Sequence, residues 1–259
     1  MFFLTALMSL SWATTPEEVV SAWAVFNAGA ELPLPKMTEP QLDRLLEGKL
    51  VKYREVGAED EPQRVVGMQI VPMDRSRIWA AARAEDVDYD GAIFWAVAGA
   101  PEGRERWYEW IDIPFPFADR HFVLDVWDND ALAKSSDNRV WEHPWAIAKG
   151  VLPQTQEAAA RGEIEGVSPA VYRKSVEVNI NNGAWVAIAL SPDETLLVFH
   201  AQSVVGGAIP DKLIADFVMM SMGKVFKGLT ARASNCEEWF KPGKLVGPGG
   251  ELVTLRETQ

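Results

Sequence analysis

A single cysteine, Cys236, in 259 residues rules out an intramolecular disulfide and leaves no thiolate pair for a metal. Histidine is nearly as scarce: His121, His143 and His200 stand far apart, so no local metal or acid–base motif can be written from them. Basic residues are outnumbered, 25 Lys and Arg against 37 Asp and Glu, for a formal charge of −12. Such a surface repels phosphate, which argues against nucleic acid and against anchoring by attraction to anionic headgroups. No run approaches the ~20 apolar residues of a membrane-spanning helix. Catalytic signatures are missing too, and two fragments imitate them. Asp86-Val87-Asp88-Tyr89-Asp90-Gly91 opens like a calcium loop, but Val97 stands at the twelfth position where a bidentate glutamate belongs, so it reads as a solvated acidic turn. Ser221-Met222-Gly223-Lys224 has Ser-x-x-Lys spacing inside a long helix pattern and lacks every companion motif. No metal or cofactor is expected.

What the chain does have is tryptophan, 11 against 4 tyrosines, in an otherwise ordinary composition of 48% hydrophobic and 24% charged residues. Tryptophan buries a wide apolar plane and keeps one N–H donor, which suits a core and equally a cavity that must grip a ring system. Residues 1–13 are a short apolar run ending in Ser11-Trp12-Ala13, a small-x-small pattern like a signal-peptidase site. They are expected to be an export signal, giving a periplasmic or otherwise exported protein; an N-terminal helix on a cytoplasmic protein is the alternative.

The pattern beyond divides into residues 14–37, an N-terminal helix and linker; 38–240, the main domain; and 241–259, a tail. With four glycines between 241 and 250, the tail is expected to be flexible. A helix over 15–30 should bury Val19, Ala22, Trp23 and Phe26, and Thr38 should cap a second that ends near Gly48. Strands are expected at 50–56 and 64–71, then a helix over 74–84. A run of strands follows at 104–113, 122–127, 140–147, 172–181, 184–190 and 195–204. Asp128-Asn129-Asp130, Asn181-Asn182-Gly183 and Ser191-Pro192-Asp193-Glu194 read as turns between them, and 150–168 as a loop with one helical turn. A long apolar helix over 211–233 closes the sequence pattern.

Three segments, in order and at matching intervals, resemble the START lipid-transfer domains of the helix-grip superfamily. The first is Trp107-Tyr108-Glu109-Trp110 leading to the corner Pro114-Phe115-Pro116-Phe117-Ala118-Asp119 and the strand Arg120-His121-Phe122-Val123. The second is Ser191-Pro192 with Thr195-Leu196-Leu197-Val198-Phe199, and the third is Gly206-Gly207-Ala208-Ile209-Pro210 opening the last helix. The resemblance spans about residues 40–233 and implies an α+β helix-grip fold. A curved antiparallel sheet would wrap around the long C-terminal helix and enclose a hydrophobic cavity. Val126 stands where some sterol-binding members of that family hold a buried basic residue, so the resemblance implies an apolar cavity with a few neutral donors.

On this reading the chain is a non-catalytic, monomeric carrier of one lipid, a sterol, hopanoid or phospholipid, that touches membranes transiently. The expected cavity residues are Trp95, Trp110, Phe117, Trp127, Trp141, Trp145, Trp185, Phe199, Phe217, Met220 and Val225. Gly206, Gly207 and Pro210 are the expected gate, and an Asp119–Arg120 ion pair should fix the proline corner. The alternative is an enzyme like the polyketide cyclases and aromatases, which would need His121, His143 or His200 beside a carboxylate in the cavity.

Overall fold

The computed structural model describes residues 14–55, 62–83, 91–204, 206, 207, 211–241, 243 and 245–255, and for 211–214 the backbone alone. The expectations for residues 1–13, for Pro210 and for most of the acidic turn at 86–91 lie outside these.

In chain order the elements are α1 (Pro16–Gly29), α2 (Glu39–Leu46), β1 (Val51–Glu55), β2 (Arg64–Val71), α3 (Arg75–Ala82), β3 (Ala92–Ala96), β4 (Arg104–Ile111) and β5 (Arg120–Trp127). There follow α4 (Asp130–Ser135), β6 (Val140–Ile147), α5 (Leu152–Ala160), α6 (Pro169–Lys174), β7 (Val176–Glu177), β8 (Ile180–Ser191), β9 (Glu194–Val204), α7 (Asp211–Ser234) and α8 (Cys236–Trp239). The strands form one sheet in the order β1-β2-β9-β8-β6-β5-β4-β3, antiparallel throughout, and β7 adds a short parallel pairing to β5. This is the α+β helix-grip architecture.

The sheet has two halves. β1, β2, β9, β8 and β6 form the larger; β5, β4 and β3 the smaller. The halves meet where Leu124–Val126 of β5 pair with Trp145–Ile147 of β6. One face of the larger half is packed by α1 and α2. The N-terminus of α1 is set by a reciprocal capping box: the Glu18 amide donates to Thr15 Oγ1 and the Thr15 amide to Glu18 Oε2. Val19, Ala22, Trp23 and Phe26 are then buried against Val66, Met68, Val186, Ile188 and Val198. The opposite face takes α7 and α3, whose Met222, Phe226, Ile78 and Trp79 pack on Val65, Ala187 and Leu197. α7 contacts α3, β1, β2 and β9. We call this second face concave and the first convex.

Four expectations are corrected. Asn181-Asn182-Gly183 is no turn; it is the start of the 12-residue strand β8. A Cβ on Gly183 would sit 2.5 Å from Cζ2 of Trp145 and 2.2 Å from the His200 carbonyl oxygen. Close approach of the facing β9 backbone and of the Trp145 ring, rather than turn geometry, requires that glycine. Residues 172–174 are helical, in α6, and 130–135 form α4, capped by the Asn129 side chain accepting from the Leu132 amide at 3.0 Å. β3 was not foreseen at all. The C-terminal segment 245–255 is packed: Val253 is buried, Val246 bridges to Leu252, and the Gly249 amide donates to Asp130 Oδ1 at 2.7 Å.

Candidate functional site: the concave face

Side chains alternate across strands, so the register decides what faces the concave side. Starting from Gly67, under α7, the pairing runs Gly67–Phe199–Trp185 across β2, β9 and β8. On the neighbouring row it runs Gly183–Trp145–Val126–Glu105 across β8, β6, β5 and β4. The next rows of the smaller half carry Leu124 opposite Trp107, and Phe122 opposite Glu109, which in turn faces Phe94 of β3. The rings touch: Trp185 and Phe199 lie 4.6 Å apart between centroids, and Trp145 and Phe199 lie 5.8 Å apart. Trp145 Nε1 donates to Asn181 Oδ1 at 3.0 Å, so its polar atom is satisfied by the sheet.

α7 does not cover this face evenly. A Cβ on Gly67 would lie 2.1 Å from Met222 Sδ, so the missing side chain is what lets α7 settle on β2. Over the larger half, Met222 and Phe226 close the gap. Farther along, Trp145, Trp185, Phe199, Ile147, Val126, Ile111 and Trp107 stay half-buried although strands flank them on both sides. On the convex face of the same strands, Val66, Val186, Ile188 and Val198 are completely buried. The concave side therefore holds space lined by apolar rings.

One acid stands in that lining. Glu109 lies between Phe94 and Phe122 in register, and burial pushes its carboxyl up to about 7, so near neutral pH about half of the molecules keep that proton and can donate a hydrogen bond there. The signal for it was present in the sequence as the one charge in Trp107-Tyr108-Glu109-Trp110. Phe122, Leu124 and Trp107 were likewise missed.

The two ends of the concave space differ. At one end β5 begins at Arg120, whose guanidinium donates to the Ala118 carbonyl on the proline corner and to the Gly206 carbonyl at 3.0 Å. Gly206 and Gly207 have φ of 64° and 70°, the left-handed region that glycine enters freely, and a Cβ on Gly207 would meet Arg120 Nη2 at 3.2 Å. The Asp119 carboxylate instead accepts from the Ile113 amide at 3.3 Å. The corner is thus held through main-chain carbonyls and amides, and Asp119 acts on the neighbouring Arg120 through its charge. At the other end, Asp128 Oδ1 takes Arg83 Nη1 at 2.6 Å and His143 Nδ1 at 2.8 Å, and Arg83 Nη2 reaches Glu105 at 3.2 Å. Trp141 closes the wall there, with the Arg75 guanidinium 3.7 Å over its ring and Trp79 edge-on at 5.3 Å.

Of the expected cavity residues, Trp141, Trp145, Trp185 and Phe199 lie on the concave face. Trp95 and Trp110 face the convex side beneath α5 and α6, where Trp110 Nε1 donates to Ser175 Oγ at 3.0 Å. Trp127 is also convex, stacked with Arg104 at 3.9 Å. All three strands involved carry aromatic or apolar side chains on both faces, so alternation gave no direction. Phe117 sits exposed on the corner, and Phe217, Met220 and Val225 lie on the outer surface of α7. Among the histidines only His143 is concave, and burial holds its imidazole below its ordinary pKa against the pull of Asp128. His121 packs beneath α6 between Tyr108 and Tyr172, and His200 is buried under the α1 face; desolvation lowers them to about 4 and about 3. Ser221 Oγ donates to the Val218 carbonyl at 3.1 Å and Lys224 is exposed, which leaves the Ser-x-x-Lys spacing without a reactive pair. Among the described residues, no three His, Cys, Asp or Glu side chains converge as a metal site requires.

A large antiparallel sheet packed against one long helix is the arrangement of the helix-grip class. Solved structures place the fold within it. Human STARD10 superposes with a TM-score of 0.53 at 10% identity, covering 73% of this chain and 71% of that one. The STAR-related lipid transfer protein of Xanthomonas axonopodis gives 0.52 at 14%, covering 73% and 94%, and human StAR-related lipid transfer protein 5 gives 0.51 at 14%, covering 85% and 98%. The chain has the START-like helix-grip fold. No sequence-family model matches it, and no curated protein matches it by sequence.

Proposed function

We propose that the protein holds one hydrophobic molecule on its concave face and carries it between membranes. The observation that carries this reading is the contrast between completely buried convex valines and half-open concave rings on the same strands. The lipid-transfer names of the similar folds support it. Removing apolar surface from water, at about 25 cal/mol per Å², supplies the drive for uptake. Trp145 and Trp185 with Phe199 offer flat surfaces that favour a rigid polycyclic ligand such as a sterol or hopanoid over a two-chained phospholipid. Protonated Glu109 gives one hydrogen bond to a ligand hydroxyl, the role a basic residue at Val126 would otherwise take. Gly206 and Gly207 are the hinge by which α7 and its approach open. The carrier works as a monomer, in the periplasm or outside the cell.

Native mass spectrometry of freshly purified protein, followed by solvent extraction, tests this. A single stoichiometric lipid is the expected result. Protein that is empty and ignores added sterols and phospholipids would overturn the reading. One observation favours a cyclase-like enzyme as second reading: His143 and Asp128 are hydrogen-bonded at the wall of the same space. Turnover of a polyketide-like substrate that is abolished in His143→Gln would establish it.

A further inference from the structure

The convex face carries a second recess, on the opposite side of the sheet from the ring-lined space. It is a cleft of about 540 Å³ bounded by α5, α6, β7 and His121 of β5. That volume is the size of a small-molecule site. His121 is built in from both sides. Its ring stands edge-on to Tyr172 with centroids 4.5 Å apart, Tyr172 stacks on Tyr108 at 5.9 Å, and the Tyr172 hydroxyl ties α6 to α5 by donating to the Leu152 carbonyl at 2.9 Å. Tyr108 is completely buried, and among the described residues its hydroxyl meets only His121 Nδ1, at 3.2 Å. Were the imidazole to donate, the phenol hydrogen would be sealed without an acceptor, a cost that the reverse orientation avoids. Tyr108 therefore donates, and the imidazole hydrogen sits on Nε2. His121 is only 4% exposed, yet its Nε2 has no partner among the described residues and is not sealed as both nitrogens of His200 are. It opens into the cleft as a fixed N–H donor.

Opposite charges border the same cleft. Arg173 of α6 and Glu177 of β7 line it with exposed side chains, and neither forms an ion pair among the described residues. Leu152 and Pro153 of α5 give it an apolar wall. The Ser175 hydroxyl is already engaged, accepting from Trp110 Nε1 and donating to the Val171 carbonyl. We propose that this cleft binds a small zwitterion of the α-amino-acid type with an apolar side chain. Its carboxylate accepts from His121 Nε2 and Arg173, its ammonium donates to Glu177, and its side chain lies on Leu152 and Pro153. Each charge of such a ligand meets its opposite. A simple anion would be repelled by the formal charge of −12, and a simple cation would leave Arg173 and the Nε2 donor unmatched. This cleft and the ring-lined space lie on opposite faces, so the site stands whether or not the concave face carries lipid.

Titration of the full chain with L-leucine, followed in the imidazole NMR signals, tests this. The His121 signals should shift and saturate while those of His143 and His200 stay still. Acetate and propylammonium, which each carry one of the two charges, should bind about 10-fold more weakly. Arg173→Gln and Glu177→Gln, both at exposed positions, should each weaken L-leucine binding about 10-fold and leave the melting curve unchanged. His121 signals that L-leucine never moves would overturn the site. Acetate that binds as tightly as L-leucine would overturn the zwitterion in favour of a plain anion, and L-leucine binding untouched by either variant would overturn the placement of its charges.

Discussion

The two faces of the sheet share its strands and differ in their cover. On the convex face α1 and α2 press on the larger half, where residues such as Val186, Ile188 and Leu196 have no exposure left. β3, β4 and β5 are covered on the same side by α5 and α6, through Tyr108, Val123 and Tyr172. The concave face is closed by α7 and α3 where Met222, Phe226 and Trp79 pack, while Trp145, Trp185, Phe199 and Trp107 stay half-buried. The difference separates stability from binding. The sealed face is the scaffold, and the open face can give up packing energy because a ligand returns it.

The largest effect should come from the scaffold. Phe26→Ala removes a completely buried ring from the α1 face and should cost about 4 kcal/mol in urea unfolding. Gly67→Val drives a side chain into Met222 and should cost about 3 kcal/mol while loosening α7, seen as faster amide exchange over 215–229. The open face behaves otherwise. Glu109 has its pKa raised in the folded state to about 7, from an ordinary value near 4.5. The native state therefore binds the extra proton, and stability falls as pH rises from about 4.5 to 7 and stays lower above it. Glu109→Gln should be more stable than wild type by about 3 kcal/mol at pH 8 and equal to it at pH 4. Trp145→Ala should cost the empty protein only about 1–2 kcal/mol and still lose the bound lipid. Equal costs for Phe26→Ala and Trp145→Ala would erase the distinction between the faces.

The same distinction explains what could be read from the sequence. Thr15-Pro16-Glu17-Glu18 announced α1 because a cap is a local device, and its buried face followed from spacing alone. The proline corner and the glycine pair were legible for the same reason: each restricts or frees its own backbone. Gly183 misled because its causes are the His200 carbonyl and the Trp145 ring, both distant in sequence and adjacent only across the sheet. Trp95, Trp110 and Trp127 misled because both faces of β3, β4 and β5 are apolar, one for the core under α5 and α6 and the other for the open space. Phe217, Met220 and Val225 misled because α7 carries apolar side chains on its outer surface as well, and the seat that Gly67 leaves for Met222 is distant in sequence.

The asymmetry among the tryptophans also makes the molecule its own optical reporter. Trp23, Trp79 and Trp141 are sealed in protein whatever the space contains, so their emission is a constant background. Trp145 and Trp185, half-open beside Phe199, change surroundings from water to hydrocarbon when the space fills. Their emission should shift to shorter wavelength on filling. Occupancy can then be followed in a cuvette, without a label, by an indole signal that Trp145→Phe/Trp185→Phe weakens and the further change Trp107→Phe removes.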